Sequence, residues 1–185
     1  VALFAVCGAV LSVKAGRYAR ETVMEESSLS MLSLSYFIEN NVGVAEDMVR
    51  VLAGSPDMRS VLADPSSGSI EKANRTLDRY KVPGEGMVVY VMNASGEVIA
   101  SSNRHTPDSF VGKNYSFRPY FRQAIGGEAG YYFGKGVTSG KRGFYASYPV
   151  SDGGRITGVA VIKKELEDIH EHMRRYEDCF LVHES

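Results

Sequence analysis

From about Ser12 to Ala53 the chain contains no proline, and apolar residues recur there at helical spacing. Val23, Leu29, Leu32 and Tyr36 carry the pattern first, then Val44, Met48, Val51 and Leu52. A helix of about 40 residues is roughly 60 Å long. That exceeds what a compact domain needs, so residues 14–54 read as a stalk. Whatever folds from the remaining chain must pack on one end of a long helix.

The stretch before the stalk, "VALFAVCGAVLSV" at 1–13, carries no charge. It is too short to cross a bilayer, which takes about 20 residues. Three origins fit: a signal-peptide core, the start of a buried helix, or the end of a transmembrane helix that begins upstream. The third is favoured, because the run passes into helical sequence with no Pro or Gly cluster between them. Val6 also makes "AVC" a poor lipoprotein site. Lys14, Arg17 and Arg20 follow, and the positive-inside tendency alone would put that side in the cytoplasm.

Beyond the stalk, "GSPDMRSVLADPSSGS" breaks the helix and carries a short second one, and "IEKANRTLDRYK" reads as another. After "VPGEG" the period becomes alternating. "MVVYVMNASGEVIASS" is two β runs joined by "NASG". "FRPYFRQAIGG" is a short helix closed by Gly126 and Gly127, and "GYYFGKGV" is a strand. "GFYASYPVSDGGRITGVAVIKKEL" is a second hairpin turning at "SDGG", and "EDIHEHMRRYE" is helical. This order predicts an α+β domain, a long N-terminal helix packed on an antiparallel sheet, with the lobe proper at 55–176. The closing "YEDCFLVHES" echoes "VPGEGMVVYVMNAS", so 177–185 read as the start of a second lobe.

Several function classes drop out. A net charge of −1 gives no reason to expect nucleic acid or a general membrane-surface binder. Cys7 and Cys179 lie at opposite ends and form neither a disulfide framework nor a zinc pattern. "GKGVTSGKRG" is not a phosphate loop: Gly136 is one residue too close to Gly140, and Arg142 stands where Ser or Thr belongs. His170 and His172 point to different faces of a helix, so no metal site is expected. With no Gly-x-Ser-x-Gly elbow and no Cys/His pair, no catalytic residue and no cofactor are expected either.

Three features break local rules. In "NYSFRPYF", Arg118 sits among Tyr115, Phe117, Tyr120 and Phe121, with no Asp or Glu within nine residues on either side. Aromatics at this density bury, and a buried charge must be paired. The partner of Arg118 is a distant residue, a backbone carbonyl, or something outside the chain. In "RITGVAVIK", alternation puts Thr157, Val159, Val161 and Lys163 on one face, so Lys163 either reaches water at a strand end or serves a site. In "VTSGKRG", Thr138 and Ser139 form an ordinary turn or offer hydroxyls and free amides to a ligand. Two cations and two hydroxyl donors, with no acid in the segments that supply them, suit a small carboxylate.

"FVGKNYSFRPYFRQAIGGEAGYYFGKGVTSGKRGFYASYPV" followed by "GRITGVAVIKKEL" resembles the Cache sensor domains of bacterial and archaeal transmembrane receptors. The resemblance is strongest to the double-Cache type of sensor histidine kinases for four-carbon dicarboxylates, and it covers about 84–166. It implies a PAS-like antiparallel sheet on a long helix leaving a transmembrane span, in an extracytoplasmic, periplasmic position. It also implies a homodimer through that helix, a small carboxylate ligand in this membrane-distal lobe, and a membrane-proximal lobe after it. Tyr115, Arg118, Thr138, Ser139 and Lys163 would contact the ligand, with Phe117, Tyr120, Val137 and Tyr145 as further pocket lining. The family tends to carry a hydroxyl where Val137 stands, a departure that bears on the exact ligand.

Two other readings stay open. One is an amino-acid-sensing Cache domain of a chemoreceptor, to which "YSFRPYFRQA" is also similar. That site needs an acid for the α-ammonium group. The pocket strands offer none, and Asp152 falls in a turn. The other is a ligandless dimerisation module.

Overall fold

The computed structural model describes residues 42–81 and 86–165, with residues 32, 35, 36 and 39 before them. Residues 42–81 and 86–165 belong to one unit, Asn40–Asp168. The apolar start at 1–13, most of the stalk, "EDIHEHMRRYE" and the start of a second lobe expected at 177–185 lie outside the described residues.

Helix α1 is helical over 42–53. Ala45, Val49, Leu52 and Ala53 are buried on one face, while Val44 and Val51 point outward. The helix ends at Gly54. Ser55 then caps α2 (Pro56–Ala63), its side chain accepting from the Asp57 amide at 3.3 Å. Pro56 fits the first turn, where its missing N–H has no helical partner to lose. Helix α3 (Ser67–Tyr80) starts earlier than "IEKANRTLDRYK", because Ser66 within the serine run acts as its cap. Thr76 on α3 donates to Asp57 on α2 at 2.6 Å, which ties the two helices together.

The strands are β1 (Met87–Asn93), β2 (Val98–Ser101), β3 (Gly130–Lys135), β4 (Arg142–Asp152) and β5 (Arg155–Glu165), with α4 (Pro119–Ile125) between β2 and β3. They form one antiparallel sheet in the order β2-β1-β5-β4-β3. The two hairpins expected from the sequence, β1–β2 and β4–β5, turn at the signals read there. Asn93 Oδ1 accepts from the Ser95 and Glu97 amides at 3.0 Å each. At the second turn Gly153 and Gly154 take φ of +54° and +82°, the left-handed pair that a two-residue hairpin requires.

Alternation divides the core between the two faces of the sheet. Val89, Val91, Ala100, Phe144, Ala146, Ala160 and Ile162 face the cluster that holds α1, α2 and α3. Tyr90, Met92, Tyr145, Val159 and Val161 face the other way, toward Tyr120, Phe121 and Ala124 of α4 and toward Phe110 and Tyr115. Lys163 is two residues beyond Val161, on this second face. Among the described residues no helix is long and apolar enough to cross a membrane.

Candidate functional site

Arg118 sits at the entrance of α4, in extended backbone (φ −73°, ψ 137°) as a residue before proline prefers. Its amide donates to the Tyr115 carbonyl at 3.0 Å, and its own carbonyl accepts from the Arg122 amide at 3.1 Å. The side chain turns inward, and the residue is 7% exposed. Nη2 donates to the Lys135 carbonyl at 2.9 Å, one of the five N–H groups a guanidinium carries. The guanidinium carbon lies 5.2 Å from the centre of the Phe117 ring and 5.5 Å from that of Tyr132. Among the described residues no carboxylate pairs with Arg118.

The guanidinium borders a pocket of about 210 Å³, counting the solvent at its open mouth. Tyr115 wall it on the approach to α4, Tyr120 from α4 itself, and Tyr90 and Tyr145 from the sheet. Phe110 and the β3–β4 turn, through Gly136, Val137 and Thr138, complete the lining. The close approach of the turn depends on Gly136, where a Cβ would meet Ser139 Oγ at 2.6 Å and the Tyr145 hydroxyl at 3.0 Å.

The aromatic wall is ordered by ring contacts and hydroxyl pairs. Tyr120 stacks on Tyr145 with centroids 5.0 Å apart and planes 4° from parallel. Tyr90, Phe110 and Tyr115 meet edge to face. The Tyr90 and Tyr120 hydroxyls share a hydrogen bond of 2.8 Å, and those of Tyr115 and Thr138 share one of 2.7 Å. Burial pushes the phenols of Tyr90, Tyr115 and Tyr120 up, and that of Tyr145 up to about 12. At neutral pH all four therefore present neutral O–H groups.

Lys163 lies beside this wall rather than in it. It pairs in register with Tyr145 on one side and Val88 on the other, and it is 0% exposed. Its Nζ donates to Ser139 Oγ at 2.9 Å and stands 5.8 Å from the centre of the Phe110 ring. Phe110 and the Thr138–Ser139 turn are its links to the pocket. Phe117 is outside the lining, with its ring half exposed over Arg118.

The strands do carry acids, contrary to the sequence reading. Asp152 is the last residue of β4, in register with Arg155. Glu165 is the last residue of β5. Its Oε1 is 3.4 Å from Lys163 Nζ and its Oε2 is 2.8 Å from Lys141 Nζ. Tyr90, Phe110 and Gly136 were also not singled out from the sequence. Tyr90 was within reach, because it sits in β1 opposite Val161, on the face that alternation assigns to Lys163. Among the described residues no group of His, Cys, Asp and Glu could hold a metal ion.

No family model matches the chain. Over 159 residues, 84% of its length, the chain is 35% identical to the C4-dicarboxylate transport sensor protein DctB of Pseudomonas aeruginosa, of which it spans 26%. The crystal structure of the V. cholerae histidine kinase DctB sensor domain matches with a TM-score of 0.74 and 29% identity, over 83% of this chain and 59% of that one. The chain is a Cache-type sensor domain. Helices α1 to α3 cover one face with a continuous apolar core, while α4 and the β3–β4 turn cover the other around polar groups. The ligand-binding domain of the Campylobacter jejuni chemoreceptor Tlp3, in complex with 4-methylisoleucine, shares the fold at 14% identity, with a TM-score of 0.62 over 83% of this chain and 62% of that one.

Proposed function

We propose that this Cache-type domain binds a small dicarboxylate, with Arg118 holding one carboxylate and Lys163 the other. The observation that carries the proposal is the burial of two cations from different elements, one at and one beside a single small aromatic pocket. A buried cation is costly unless paired, and a guanidinium fork matches a carboxylate with two parallel hydrogen bonds. The Tyr115 and Thr138 hydroxyls lie in the same lining, and Ser139 sits beside it against Lys163. The P. aeruginosa relative is named as a sensor for C4-dicarboxylate transport, which supports this ligand class.

The chain spans about a quarter of that relative's length. The reading therefore extends to a longer receptor, a sensor histidine kinase with this domain outside the cytoplasm. It would be anchored by flanking membrane helices and paired through the long helix with a second copy. Ligand closure would shift β5 and the chain beyond it.

The amino-acid reading gains one observation, since Glu165 supplies the acid it lacked. Both oxygens of that carboxylate already face lysines, which leaves it a poor acceptor for an ammonium group. A thermal-shift screen of the chain against succinate, butyrate and isoleucine separates the readings. A ligand at 100 times its dissociation constant adds about 2.7 kcal/mol of stability. A shift with succinate is expected. A shift with isoleucine alone would replace this function with amino-acid sensing, and no shift with any compound in a wider screen would favour a ligandless dimerisation module.

A further inference from the structure

Glu165 lies two residues past Lys163 on β5, so the two side chains emerge on one face of the sheet. Its carboxylate is divided unequally. Oε2 accepts from Lys141 Nζ at 2.8 Å, within the ordinary range for a charged pair, whereas Oε1 stands 3.4 Å from Lys163 Nζ. The longer contact is the weaker one. The three groups also differ in burial: the side chains of Lys163, Glu165 and Lys141 are 1%, 14% and 48% exposed. Glu165 thus bridges a buried ammonium, which it holds loosely, and a half-exposed one, which it holds well.

A ligand carboxylate approaching Lys163 meets an acceptor that is already there. Building on the dicarboxylate reading above, we infer that Glu165 competes with the ligand for Lys163 and is displaced onto Lys141 when the ligand binds. It thereby sets the affinity of the site for a second carboxylate. The exchange leaves no charge stranded, because the ligand takes Lys163 and Glu165 keeps Lys141. Ser139 steadies the ammonium throughout, using one of its three N–H groups.

Movement of Glu165 would be felt where β5 ends. Its amide donates to the Gly86 carbonyl at 3.3 Å. Its side chain occupies the space beside Gly86, where a Cβ would meet Oε2 at 2.8 Å. A ligand contact at Lys163 is in this way connected to the junction from which β1 departs.

Calorimetric titration of succinate and butyrate into the wild-type chain, Glu165→Gln and Lys141→Ala tests the exchange, with melting curves to show that each protein is folded. Glu165→Gln should bind succinate about two- to fivefold more tightly, the worth of a weak ion pair, with butyrate unchanged. Lys141→Ala leaves Glu165 dependent on Lys163, so it should weaken succinate by a similar factor, again sparing butyrate. Lys141 is half-exposed, so this variant carries the test if Glu165→Gln does not fold. A crystal structure of the succinate complex should show Lys163 and Glu165 separated beyond about 4 Å, with Glu165 still on Lys141. Equal succinate affinity in all three proteins, or an intact Lys163–Glu165 contact in the complex, overturns the exchange and leaves the dicarboxylate reading standing. Failure of the wild-type chain to bind succinate overturns both.

Discussion

The hydroxyls of Tyr115 and Thr138 lie 2.7 Å apart although the residues are 23 positions apart in sequence. The contact fastens the approach to α4 to the β3–β4 turn, and the hydrogen bond from Arg118 to the Lys135 carbonyl ties the start of α4 to the end of β3. Polar contacts between segments far apart in the chain therefore hold one wall of the pocket, while Tyr90 and Tyr145 line it from the sheet.

If the hydroxyl pair acts as one bond, Tyr115→Phe and Thr138→Val remove the same interaction. The double variant should then lose less stability than the sum of the singles, by about 0.5–1.5 kcal/mol. Urea denaturation of the four proteins in the cycle measures this. Strictly additive losses would mean that each hydroxyl serves a separate partner.

Burial of Tyr145 predicts how stability responds to alkali. Its phenol is raised from 10.0 to about 12, with desolvation as the largest cause. Below pH 10 it is protonated in both folded and unfolded chains. Above that the unfolded chain ionises first, so stability is lost as pH rises from 10 through 12. Tyr90 and Tyr120 are shifted in the same direction and add to the loss. Tyr145→Phe keeps the stack on Tyr120, so it should melt like the wild type at neutral pH and lose less stability across the alkaline window. Superimposable pH–stability curves would show that the phenol does not titrate with unfolding.

What the sequence disclosed depended on the range of the interaction. The hairpin turns were legible because "NASG" and "SDGG" carry their geometry in the residues themselves. The inward face of β5 followed from period-two alternation. The order of the strands did not, because pairing β1 with β5 joins residues that are far apart in the chain. Arg118 was recognised as a buried cation with a backbone carbonyl among its possible partners, but which carbonyl was not legible, since a backbone acceptor leaves no mark in a count of charges. Glu165 was missed for a different reason: the alternation that placed Lys163 inward also places the residue two further on beside it, and the strand was not followed to its end.

The outward side of α1 bears on assembly. Val44 and Val51 are 50% and 64% exposed and stand one heptad apart, while Ala45, Val49 and Leu52 turn toward the sheet. Apolar residues seven apart on one helix face suit the helix of a second copy. Replacing both with Asp should shift the sedimenting species toward monomer with little effect on the melting temperature. A wild-type chain that sediments as a monomer at high concentration would remove the homodimer proposal.

The two buried cations should separate by ligand. A charge-assisted hydrogen bond contributes roughly 1.5–3 kcal/mol, or about 10- to 150-fold in affinity. Arg118→Ala should therefore weaken succinate and butyrate alike, by at least about tenfold. Arg118→Lys should recover little, because a lysine keeps the charge and loses the fork. Lys163→Met should behave differently. Methionine fills much of the same volume, and Glu165 keeps its contact with Lys141, so the substitution strands no charge without a partner and the melting temperature should change little. Succinate affinity should nonetheless fall by about tenfold or more, with butyrate little changed. Equal losses for the two acids in Lys163→Met would remove the second carboxylate from the assignment. Unchanged binding in Arg118→Ala would mean that the Lys135 carbonyl and the surrounding rings are the whole reason this arginine is buried.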